Sequence, residues 1–160
     1  MAHETDFEKR RGVSQIEVRT GYAQVHVSRL EGNLMEARLK VLKSLADAQV
    51  TIDFLKLTPS GLSCLVKESQ EELVNQTLSP CGDHFTVRGR RSIVIVHAVN
   101  MRDEEGLLAS VIEQSIACKA RIDHICDMHD RMLIIVNGED ALKLTDWLTE
   151  RLLNTEGGRI

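Results

Sequence analysis

Residues 91–136 read RSIVIVHAVNMRDEEGLLASVIEQSIACKARIDHICDMHDRMLIIV, and this stretch decides the fold. Ser92 to Val99 is apolar at nearly every position and rich in β-branched residues, the pattern of a strand covered on both faces. From Glu104 to Lys119 the period changes: Leu108, Val111, Ile112 and Ser115 recur at helical spacing, so one stripe faces a core. Ala120–Cys126 and Met132–Val136 return to strand patterning around a turn at His129-Asp130. A last helix is expected from about Glu139 to Leu153, its first turn carrying Glu139 and Asp140 where the positive end of a helix dipole favours acids.

The same order of elements stands upstream. Leu34 to Ala48 places Leu34, Ala37, Val41, Leu45 and Ala48 on one helical stripe. Val50–Leu57 and Leu62–Val66 flank the turn residues Pro59-Ser60-Gly61. Ser69, three residues before Glu72, has capping-box spacing and opens a short helix that runs to about Leu78 and ends at Ser79-Pro80-Cys81-Gly82. Thr51-Ile52-Asp53-Phe54 and Arg121-Ile122-Asp123-His124 occupy the same place in each unit, which identifies a duplication. Val13–Arg19 and Tyr22–Ser28, around Thr20-Gly21, read as a β-hairpin. The second copy has no strand after its last helix, so strand 13–19 is expected to complete its sheet. The expected divisions are a polar leader over 1–12, a first unit over 13–91, a second over 92–154 and a tail over 155–160.

Several function classes are disfavoured by composition. A net charge of -4 and 3% aromatic residues offer little to a phosphate backbone or to stacked bases, so no nucleic-acid partner is expected. No stretch approaches the about 20 apolar residues of a membrane helix, and the opening MAHETDFEKRR lacks the apolar core of a secretory signal. A cytoplasmic protein with no membrane partner is expected. The four cysteines form no CxxC pair and read as reduced, with Cys64 and Cys126 packing as small hydrophobes in strands. His124, Cys126, His129 and Asp127 lack a second pair at zinc spacing, so no metal is expected. His26, Cys64 and Asp53 can be written as a catalytic set, but two of the three fit ordinary strand positions. Neither GxxxxGK[ST] nor GxGxxG occurs, and no cofactor is expected.

Gly12 through Val27, TIDFLKLTPSGLSCLV over 51–66, and the stretch 91–136 quoted above together resemble the tandem ACT domains at the regulatory end of aspartate kinases. The likeness covers about residues 12–153. It implies an α/β fold of the α+β, ferredoxin-like kind: two ACT-type βαββαβ units sharing a side-by-side antiparallel sheet, with helices on one face. It also implies a sensor without the catalyst, because 160 residues leave no room for the kinase domain. The expected role is a stand-alone regulatory protein, not an enzyme, with no catalytic residue. It would bind an amino acid effector of the lysine or threonine class and allosterically modulate a kinase-like or other amino-acid biosynthetic partner in trans. A structural oligomerisation module with a vestigial ligand site is the second reading.

A helix N-terminus presents unpaired N–H groups to a carboxylate, so the loop before each first helix is the expected ligand site. The ligand-binding residues expected in the first repeat are Glu31, Gly32, Asn33 and Leu34 from the loop, with Ile52 and Asp53 from the following strand. In the second repeat they are Met101, Arg102 and Asp123. The resemblance places Asp53 and Asp123 to meet the ligand's ammonium. Neither loop carries the proline of the family's acid-x-Pro-Gly pattern. A homodimer is expected too, because Ser92–Val99 and Met132–Val136 are apolar on both faces and helices cover one.

Overall fold

A computed structural model describes residues 12–82, 84–99 and 105–153. Strand β1 spans Val13–Val27, helix α1 Leu34–Asp47, β2 Ile52–Thr58, β3 Gly61–Lys67 and α2 Glu71–Leu78. Then come β4 over Phe85–Ala98, α3 over Leu107–Ala117, β5 over Ile122–Asp127, β6 over Arg131–Asn137 and α4 over Gly138–Leu148. A π-helical segment, Thr149–Leu153, continues from α4.

The chain divides into two compact units, one formed by Gly21–Arg91 and the other by residues up to Thr20 together with those from Ser92 onward. In the 21–91 unit the strand order is β2-β3-β1-β4, and in the other it is β1-β4-β6-β5. Each is therefore a mixed α/β unit of the βαββαβ arrangement, the second taking its last strand from the start of β1, with antiparallel pairing of its hairpin strands. The long strands β1 and β4 each contribute residues to both units.

The expected hairpin at Thr20-Gly21 is not formed. Residues 13–27 are one strand, and Gly21 sits within it at φ +81°, a conformation glycine adopts without steric cost. The reason is competition for partners. Tyr22↔Lys67 through Val27↔Leu62 pair with β3, while the first half of β1 lies beside β4, where Ser14 Oγ donates to the His97 carbonyl at 3.2 Å. Ser69 does not cap α2 either. A 3-10 turn, Glu68–Gln70, precedes the helix, and Gln70 stands at the cap without bonding it. Its amide instead accepts from Thr51 N–H and donates to the Gln49 carbonyl.

The duplication is written in the geometry. Gln49 and Lys119 each hold φ +58° just past the first helix of their unit. Their amides donate back to Ala46 O and Ile116 O, closing both helices the same way. The residue two further on is tied to the start of the second helix in both copies, Thr51 N to Gln70 Oε1 and Arg121 N to Asp140 Oδ2. Both second strands carry a register shift at the same place, between Ile52 and Phe54 and between Ile122 and His124. All these pairs are separated by a constant 70 positions.

In the 21–91 unit the core joins Ala23, Val25 and Val27 of β1 to Leu62, Cys64 and Val66 of β3 under Val41 and Leu45 of α1 and Val74 and Leu78 of α2. In the other unit Val94, Val96 and Ala98 of β4 meet Ile134 and Val136 under Val111, Leu144 and Leu148, with Val13 from the start of β1 in the same cluster. The other faces of these strands are buried as well: Leu65, Ile93, Ile95 and Ile135 are at most 5% exposed within the single chain.

Candidate functional site

The segment from Ser28 to Asn33 leaves β1 and enters α1. It is held from both sides, Ser28 N–H donating to His84 O at 2.8 Å and Leu30 N–H to Ser60 O at 2.9 Å. Between these anchors Arg29 takes a left-handed φ of +53°, uncommon for a residue with a side chain. Gly32 follows at φ +76° with open space where a Cβ would stand. Asn33 then caps α1, its Oδ1 accepting from Glu36 N–H at 3.1 Å. Arg38, one turn into α1, donates to the carbonyls of Thr58 and Gly61, so the helix start, the loop and the β2–β3 turn form one braced corner.

Beside this corner lies a cavity of about 570 Å³. Val27, Val41, Leu78 and Phe85 make its apolar floor. Arg29, Glu31 and Asn33 of the loop, Glu36 and Lys40 of α1, and Cys81 and His84 complete the rim. Of the residues expected from sequence, Glu31 and Asn33 line this cavity. Arg29, Lys40, His84 and Phe85 were not foreseen, because their convergence depends on tertiary placement; the early stop of the second helix at Ser79-Pro80 was its one visible signal.

Asp53 is elsewhere. It lies at the shift in β2 between Ile52, which faces Val66, and Phe54, which faces Leu65. The loop follows Val27, which faces Leu62 at the other end of β3. Val66 lies four residues beyond Leu62, about 13 Å along a strand. Within one unit the loop and Asp53 thus stand at opposite ends of β3. Ile52 is half-buried and packs on the core, whereas Asp53 is exposed on an edge strand. Asp123 occupies the matching place in β5 and is half-buried. Met101 and Arg102 lie outside the described residues.

The remaining chemistry-bearing groups stay apart. Cys64 is in the core, where burial pushes its thiol up to about 12, so it remains protonated at neutral pH. Cys64 and Leu55 share a register position, whereas His26 pairs with Ser63 on the other face. Among the described residues no group of three or more His, Cys, Asp or Glu side chains gathers as a metal site, and no helix is long and apolar enough to cross a membrane.

No protein-family model matches the sequence, and no curated protein does. Solved structures do match in fold. The regulatory subunit of aspartate kinase from Thermus thermophilus, in a ligand-free form, superposes with a TM-score of 0.75 at 16% identity over 88% of this chain and 97% of that one. The corresponding subunit from Thermus flavus gives 0.76 at 18% over 88% and 98%. Aspartokinase III of E. coli, in a complex with lysine and aspartate, gives 0.72 at 15% over 93% of this chain and 34% of that longer one. The chain thus has the fold of the regulatory modules of aspartate kinases, with paired ACT-type, ferredoxin-like units. These matches are to regulatory subunits, and in the longer enzyme to about a third of its length.

Proposed function

We propose that this chain is an amino-acid-sensing regulatory region of the aspartate kinase type, binding an effector of the lysine or threonine class and allosterically modulating a kinase partner in amino-acid biosynthesis. The observation that carries the reading is the braced corner at Arg29–Asn33, a preorganised loop at a helix N-terminus in a fold shared with regulatory subunits. Such a loop suits a carboxylate, because backbone N–H groups and the helix dipole favour negative charge there.

The ammonium partner comes from a second copy. Strand β2 is an edge, with Leu55 and Leu57 45% and 48% exposed on it. Met35 and Leu39 are likewise exposed on α1. Two copies related by a twofold axis and paired antiparallel along β2 would set one chain's Asp53 toward the other chain's Glu31–Leu34 loop. The opposite-end placement of Asp53 and the loop supports this homodimer.

Calorimetry of the full chain against lysine and threonine tests this. Asp53→Ala is expected to weaken binding by about ten- to a hundredfold, the loss of one charge-assisted hydrogen bond. Mixing Asp53→Ala chains with Gly32→Val chains is expected to restore some intact sites, since loop and acid come from different copies. Absence of binding by either amino acid at millimolar concentration, or indifference to Asp53→Ala, would refute the reading.

A further inference from the structure

We infer that the cavity beside α1 is a binding site, complete within one chain, for a free α-amino acid with a branched apolar side chain such as leucine. It does not rest on the β2-edge reading above.

The cavity has a cause in the duplication. At the constant step of 70, Ala37 of α1 corresponds to Leu107 of α3. Leu107 packs against the core of its own unit. Ala37 lines the cavity of the other. The second helix of the 21–91 unit stops at Leu78, where Ser79-Pro80-Cys81 turns into a 3-10 segment, whereas its counterpart runs on through Leu153. One copy thus has a leucine where the other has Ala37, and its second helical segment extends beyond the point at which α2 ends. Val27, Val41, Leu78 and Phe85 line the cavity that results, and a leucine-shaped group in it would add dispersion contacts to them.

The rim specifies the ends of the ligand. Among the described residues no ion pair engages the side chains of Arg29, Lys40, Glu31 or Glu36. Two free cations and two free acids around an apolar hole complement a zwitterion. A simple carboxylic acid would leave the acids unanswered, and a simple amine the cations. Arg29 keeps its left-handed backbone because Ser28 and Leu30 are bonded on either side of it, which fixes where its guanidinium starts.

The test uses the full chain, calorimetry with leucine, isovalerate and isopentylamine, and methyl NMR of Val27, Val41 and Leu78. Leucine is expected to bind and to shift those methyls, and each half-ligand to bind about tenfold or more weakly. Ala37→Leu, which puts back the side chain found in the other copy, should abolish leucine binding. Should that variant misfold, Lys40→Ala, at an exposed helix position, is expected to weaken leucine by about tenfold with the fold intact. Asp53→Ala should leave leucine unaffected, so failure here is distinct from failure at the β2 edge. Unshifted methyls at millimolar leucine, full affinity in folded Ala37→Leu or Lys40→Ala, or isovalerate binding as tightly as leucine would overturn the assignment.

Discussion

Gly61 stands directly against the carbonyl of Val27: a Cβ on residue 61 would overlap Val27 O and C and come within 3.1 Å of Ser28 Cα. The obstructing atoms are backbone, at the point where β1 passes into the loop, and they cannot rotate away. Gly61→Ala should therefore cost about 3 kcal/mol, the upper end of overpacking, as measured by urea unfolding. It should also displace the corner that Arg38 and Leu30 brace, and so weaken any ligand held there. A loss within about 0.5 kcal/mol, typical of an unconstrained surface position, would show that β1 and the turn can separate.

Arg121 and Asp140 give a pH-dependent contribution. Asp140 accepts from Arg121 Nε at 2.8 Å and from its backbone N–H at 2.9 Å. The side-chain bond first, then the backbone one, holds this carboxyl below the ordinary aspartate range. A folded-state pKa below the unfolded value means the stabilisation is complete above about pH 4 and is lost as pH falls through the lowered value. Asp140→Asn should narrow its stability gap to wild type as the solution is acidified below about pH 4, in thermal melts across that range. A gap that widens on acidification would reverse the sign and exclude the pair as the cause.

The start of β1 belongs energetically to the unit it joins. Val13 is buried in the cluster with Val111, Leu144 and Leu148, and Ile16 and Val18 pack against it. Removing residues up to Thr20 would strip a strand from beside β4 and open that edge. Hydrogen exchange should then show lost protection in α3, β5, β6 and α4, with α1, β2 and β3 less affected. Unchanged protection in β6 and α4 would mean the strand is dispensable.

The repeat was legible in sequence because its marks are local. Ile-Asp after each first helix and helical stripes such as Val41 and Leu45 depend on nearby residues alone. The hairpin expected at Thr20-Gly21 fails for the complementary reason: a Gly in a period-2 run signals a turn, yet the same residue serves as a kink when each half of the strand has another partner. The place of Asp53 in the repeat is local, but the end of the sheet it occupies follows from the parallel course of β1 and β2 on either side of β3. The cavity has only the stop at Ser79-Pro80 as its sequence signal, because a small residue such as Ala37 where the other copy has Leu107 marks nothing until the copies are aligned.

The β2 edge supplies the last prediction. Leu55 and Leu57 face Cys64 and Leu62, so both sit on the helix side of the sheet, yet they remain about half exposed. Apolar side chains on an unpaired edge favour strand addition by another chain, which natural edges suppress with charge. Lys56, between them, faces the other side and does not guard this surface. If two copies pair along β2, Leu55→Lys with Leu57→Lys should convert a dimer into a monomer in sedimentation at micromolar concentration, while leaving each chain folded, because neither leucine belongs to the buried core. Lysine or threonine binding should fall with dimerisation, since Asp53 reaches the loop only across that edge, whereas leucine binding in the cavity should persist. A wild-type chain that is already monomeric, or a dimer indifferent to both lysines, would remove the β2 edge from the effector site.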